Sequence, residues 1–167
     1  EGQHIGRVVL AAELAVELLP LLGIDENLLA SLEGQVAALA IRLMEVESTS
    51  GREQAVVAVA EQMLAERGWR TERIAVGDGR DAILARVHDE PLVTLSTHLD
   101  TVPPYIPPRL DGDTLHGRGA CDAKGIAASM ILAAERLRAR AVPVALLFVV
   151  GEETTHDGAH AANAYPT

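Results

Sequence analysis

The stretch LSTHLDTVPP, residues 95–104, closes an apolar run with a histidine and an aspartate two residues apart, and two prolines follow. Side chains at that spacing on a strand project from one face, so His98 and Asp100 can act as a pair. A metal-binding imidazole donates its second N–H to a carboxylate, which fixes the tautomer and raises the basicity of the ligating nitrogen. His98 as ligand with Asp100 as its clamp meets that requirement. The same two residues also read as a strand-end pair exposed to water, and an isolated His-x-Asp does not choose between these readings. Asp122 follows the loop HGRGAC, residues 116–121. A carboxylate there can cap a helix, or it can reach one metal with one oxygen and a second metal with the other. Glu152 and Glu153 come directly after the apolar run PVALLFVV, residues 143–150, and Gly151. Adjacent acids so placed repel each other and are costly to desolvate, and a dication is a natural reason to hold them.

These groups need elements to carry them. PLVTLSTHL (91–99) has the pattern of a strand, AKGIAASMILAAERLRAR (123–140) that of a helix, and PVALLFVV that of a strand buried on both faces. Strand, helix, strand in this order predicts α/β layering with a largely parallel sheet. In open α/β sheets functional groups gather at the carboxyl ends of strands, where His98, Asp100, Glu152 and Glu153 all fall. WRTERIAV (69–76) and DAILARV (81–87) read as strands around the GDG turn at 77–79, and RLDGDTLHGRG (109–119) as turn-rich with a short hairpin. Upstream, RVVLAAELAVELL (7–19) has helical composition and stops at Pro20. Residues 28–47 form one helix, or two broken near Gly34, with an apolar stripe through Leu32, Val36, Leu39, Leu43 and Val46. STSG (48–51) is a turn. Ser50 and Glu53 have the capping-box spacing for a helix that runs to about Arg67 and ends at Gly68.

Composition narrows the function classes. Apolar residues make up 49% of the 167, enough for a sizeable core, but aromatics only 2%, namely Trp69, Tyr105, Phe148 and Tyr165. The core is therefore aliphatic. A net charge of −10 argues against a nucleic-acid surface, which needs a basic face. Cys121 is the one cysteine, so no intrachain disulfide forms and a reducing, cytoplasmic setting is expected. No apolar run is long enough to span a bilayer, and the apolar N-terminal segment lacks the basic flank and cleavage site of a signal peptide.

With these residues in view, STHLDTVPP, LHGRGACDAKG and LLFVVGEET resemble three successive motifs of the M20 metallopeptidase family, in the same order, spacing and context. MEVESTSGRE resembles the segment that opens that family's catalytic domain. The resemblance covers about residues 35–160, and within the family the motifs look most like those of acetylornithine-deacetylase-type enzymes. It implies a three-layer α/β sandwich with a mostly parallel mixed sheet, here truncated. Residues 35–167 would be the N-terminal part of the catalytic domain and residues 1–34 a helical extension of unknown role. The resemblance also assigns roles. His98, Asp122 and Glu153 would ligate two zinc ions, with cobalt as a substitute and Asp122 as the bridge. Asp100 would orient His98, Glu152 would act as general base, and the peptide after Asp122 would be cis. The implied activity is hydrolysis of a linear amide: removal of an acyl group from an N-acyl amino acid, N-acetylornithine foremost, as in arginine biosynthesis. The implied partners are that small-molecule substrate and, in a longer protein, a second copy of the chain, with neither nucleic acid nor membrane.

The family uses two further ligands, an acidic residue soon after the acidic pair and a distal histidine, and neither motif occurs up to Thr167. Each metal would then have two protein ligands where catalytic sites keep three, so weak metal binding and little turnover are expected of this chain alone. The competing reading is a non-catalytic domain that keeps the fold for interaction or assembly. Other residues stay open. His156 and His160 could share a helix face as ligands or lie exposed at a helix start. Cys121 could feel the metal or be packed as a small buried residue. Lys124 could neutralise local acids or lie on the surface.

Overall fold

A computed structural model describes residues 26–165. The expected helix over 7–19, and with it most of the 1–34 segment, lies outside them. Cα packing divides the chain between Gln35 and Val36, and everything that forms the site belongs to the second unit.

Helix α1, Glu26–Met44, passes through Gly34 without a break but ends before Val46, so the stripe from Leu32 to Leu43 belongs to one helix, of which Leu39, Leu43 and Met44 are buried. Helix α2, Gln54–Glu66, starts with Glu53 at its N-cap. The expected capping box does not form. The Ser50 hydroxyl donates instead to Asp100, at 2.7 Å, and the Glu53 carboxylate turns back to the N–H of Gly51, at 2.8 Å. The chain then turns at Gly68, whose φ of +76° suits glycine, into β1, Arg70–Gly77, and β2, Arg80–Arg86. Strand β3, Val93–His98, leads through an exposed proline-rich loop to the small hairpin β4, Arg109–Asp111, and β5, Thr114–His116. Helix α3, Lys124–Ala139, strand β6, Val144–Val149, and helix α4, Asp157–Ala164, complete the described chain.

The main sheet has the order β1-β2-β6-β3. It is mixed, but its parallel share is smaller than the strand–helix–strand order predicts. Only β3 and β6, joined by the crossover through α3, run parallel, with His98 opposite Val149. The tight Gly77–Gly79 turn makes β1 and β2 an antiparallel hairpin, and β2 meets β6 antiparallel. Strand β6 is central, which explains its unbroken apolar sequence. Alternation along the strands makes three layers. Ala82, Leu84, Ala145 and Val149 face one way, where Ala161, Ala162 and Tyr165 of the α4 region cover them. Ile83, Ala85, Leu146 and Phe148 are buried on the opposite face, and α2 and α3 also pack against the sheet. Pairing His98 with Val149 sets the ends of β3 and β6 side by side, so the residues that follow each strand emerge together.

Candidate metal centre

Three chain segments converge at that edge. His98 is the last residue of β3 and 7% exposed. Its Nδ1 lies 3.0 Å from the backbone oxygen of Asp100 and 3.5 Å from the Asp100 carboxylate. With Nδ1–H donating to that carbonyl, Nε2 is the nitrogen left to take a proton or a metal. Nε2 points at Asp122, 3.0 Å from Oδ1, and lies 3.8 Å from Glu152 Oε2. The Asp122 side chain is 71% exposed, so the centre is open to solvent on that side. The Asp122–Ala123 peptide is cis.

Asp100 has no exposed surface and organises more than its histidine. It accepts the Ser50 hydroxyl at 2.7 Å and the backbone N–H groups of Glu152 and Glu153, each at 3.1 Å. Burial opposes its charge, but the bonds from His98, Ser50 and the two amides outweigh that and hold its pKa down to about 2. His98 shows the complementary effect. Burial disfavours the imidazolium, yet Asp100 and Asp122 overcome it and raise the pKa to about 9 in the metal-free protein. A cation seated on Nε2 would take the place of a proton.

The turn that carries the acids is shaped by two glycines. Gly151, at φ +70°, has a carboxylate oxygen of Asp157 where a Cβ would stand. Its carbonyl accepts the N–H of His156 at 2.8 Å. Gly158 lies against the Val150 carbonyl, which accepts its N–H at 3.1 Å. Glu152 and Glu153 follow this turn, both half-buried.

His98, Asp122 and Glu153 each offer one ligand atom, all within 4.8 Å of one another. Ligands at zinc–nitrogen and zinc–oxygen distances of about 2.0–2.2 Å in a tetrahedron lie roughly 3.4 Å apart, so the donor set fits a divalent cation after small adjustments. The donor chemistry fits too: an imidazole with a fixed tautomer, and carboxylates that otherwise only repel one another.

Some expectations are corrected. Cys121 is exposed, not packed. Lys124 is neither a surface residue nor a neutraliser of the acids. It is buried, and its ammonium donates to the backbone oxygen of Val46 at 2.9 Å, just past the end of α1, where the helix dipole favours a cation. His156 and His160 are exposed. The sequence reading missed Ser50 as a partner of Asp100. The Ser-Thr-Ser-Gly turn was the signal, but a local cap accounted for it without a residue 50 positions away. No helix among the described residues is long and apolar enough to cross a membrane.

Comparison with known proteins finds a family and several similar folds. Residues 94–164, which hold every proposed ligand, match Peptidase family M20/M25/M40. A LysW-lysine/LysW-ornithine hydrolase of Aeropyrum pernix is 39% identical over 133 residues, covering 78% of this chain and 37% of that protein. The chain spans about a third of the length of the curated relatives it matches. A Staphylococcus aureus tripeptidase superposes with a TM-score of 0.65 at 20% identity, covering 79% of this chain and 40% of that one. The YXEP protein of Bacillus subtilis, described as a dinuclear metal binding peptidase, superposes at 0.60 with 16% identity, covering 81% and 40%.

Proposed function

The chain belongs to the M20/M25/M40 peptidase family, and on that premise we propose that it carries the metal-ligating and proton-transferring residues of a hydrolase of linear amides. The observation that carries the reading is the meeting of His98, Asp122 and Glu153 within 4.8 Å. His98 Nε2, the Asp122 carboxylate and the Glu153 carboxylate would hold one or two divalent cations, zinc or cobalt, Asp122 having an oxygen for each. When bound, such cations supply Lewis acidity that polarises an amide carbonyl and brings the pKa of a water towards neutrality.

The chain's own residues do the rest. Asp100 holds a proton on Nδ1 of His98, which directs Nε2 to the cation. Glu152 takes a proton from the attacking water as its oxygen adds to the carbonyl carbon, then gives that proton to the nitrogen as the C–N bond breaks. Its carboxylate is half-exposed and beside Nε2 of His98, as a base facing both water and substrate needs to be. The three donors are few for two cations, so residues 1–167 alone should bind metal weakly and turn over little.

The finer reading is an N-acyl amino acid substrate, N-acetylornithine first. The name of the Aeropyrum pernix relative, a hydrolase of LysW-lysine and LysW-ornithine, supports a substrate that carries lysine or ornithine. The test is release of free amine from N-acetylornithine and from a dipeptide, measured with zinc or cobalt on this chain and on the longest product of its gene. Glu152→Ala should keep the bound metal and lose turnover. Hydrolysis at the original rate in that variant would refute the assignment of the base.

A further inference from the structure

The acid-bearing turn is gripped on its site side by Asp100, and a second charged group grips it from behind. Arg80 opens β2, far from every motif, and its side chain is only 12% exposed. Its guanidinium pairs with the Asp157 carboxylate and lies 3.4 Å from Glu53, a carboxylate with no exposed surface. Asp157 in turn accepts the N–H of Gly158 at 3.0 Å and occupies the space where Gly151 would carry a side chain. That same space lies 3.2 Å from Arg80 Nη1. The guanidinium and Asp157 therefore form a floor directly under the residue that precedes Glu152.

The chemistry of this floor is specific. A buried carboxylate such as Glu53 needs a partner, and arginine's planar fork can serve two acids at once. Glu53 belongs to the start of α2 and Asp157 to the start of α4, so Arg80 ties two helix starts to the strand hairpin at one point. That point backs onto Gly151.

We propose that Arg80 and Asp157 are positioning residues for the acidic pair: together with Glu53 they clamp the 151–157 turn from behind and fix where the Glu152 and Glu153 side chains emerge. The proposal extends the metal-centre reading, since its consequence for function is the placement of a ligand and a base.

The test is backbone amide hydrogen exchange on the whole metal-free chain, followed by cobalt titration. In Arg80→Met, exchange at the N–H groups of Glu152, Glu153 and His156 should accelerate about 100-fold relative to Ala127 in α3, and cobalt affinity should fall about tenfold. Arg80→Lys keeps a charge for Glu53 but cannot bridge both acids, so it should fall between wild type and Arg80→Met. It also decides the question if the methionine variant does not fold. An unchanged ratio between the turn amides and Ala127, or a uniform rise at both, would overturn the clamp. If the wild-type chain takes up no cobalt while the turn amides still respond to Arg80, the clamp stands and the metal-centre reading falls.

Discussion

The Asp100 carboxylate accepts the backbone N–H of Glu153 at 3.1 Å. The residue that sets the tautomer of one candidate ligand thus also holds the main chain of another, 53 positions away. His98 and Glu153 come from different strand ends, and their relative placement is fixed through this one buried group.

Asp100→Ala should therefore disturb both sides of the centre. It leaves the Glu152 and Glu153 amides and the Ser50 hydroxyl without their acceptor, and unmade buried hydrogen bonds cost about 1–3 kcal/mol each. A loss of roughly 3 kcal/mol in urea unfolding is expected, together with a 10–100-fold weaker cobalt affinity. Unchanged cobalt affinity would show that Asp100 supports the fold but not the ligands.

Ser50→Ala isolates one of these bonds. The hydroxyl donates to a charged, fully buried carboxylate, a class of hydrogen bond worth about 1.5–3 kcal/mol. The expected result is a stability loss in that range, seen as a lower thermal midpoint, with Ser50→Thr closer to wild type.

Gly151→Ala should be among the costly single-methyl substitutions in this chain. The backbone there is left-handed, at φ +70°, which costs a residue with a Cβ about 1–2 kcal/mol. The added methyl would also meet the Asp157 carboxylate. Unfolding by urea should show a loss of about 2 kcal/mol or more. A neutral outcome would mean that the turn can move away from Asp157.

The Arg80–Asp157 pair also predicts a pH dependence. The hydrogen bond from Arg80 holds the Asp157 carboxyl below its ordinary pKa, against the opposing effect of burial. A depressed folded-state pKa gives stability that is fully present above the unfolded value of about 3.9 and is lost as pH falls through the lower folded value. Thermal midpoints measured from about pH 5 to pH 2 should decline less steeply in Asp157→Asn than in wild type. Equal slopes would assign no acid sensitivity to this pair.

Much of the architecture was legible because it rests on local pattern. The apolar run at 143–150 identified a strand buried on both faces, the GDG turn the two strands beside it, and the 3-and-4 spacing of Leu32, Val36, Leu39 and Leu43 a helix ahead of the site. His98 and Glu153 stood out as candidates from residue type and their place at strand ends, Asp122 from its place before a helix, and their roles as ligands came from the family resemblance. The direction of the sheet was less so: β2 meets β6 antiparallel, and strand partners far apart in sequence leave no local signal. Nor could the sequence reveal the groups that hold the ligands in place. Ser50 has a sufficient local use as a cap, Lys124 looks like an ordinary first-turn lysine, and Arg80 and Asp157 stand 77 residues apart. Their roles exist only once β2, β3 and β6 lie side by side.

The central claim is that His98, Asp122 and Glu153 surround a divalent cation. Anomalous diffraction from crystals of this chain soaked in zinc tests it directly. The account predicts a zinc peak within about 2.2 Å of His98 Nε2 and of oxygens of Asp122 and Glu153. A peak bound elsewhere, with these three side chains left as they are, would contradict it.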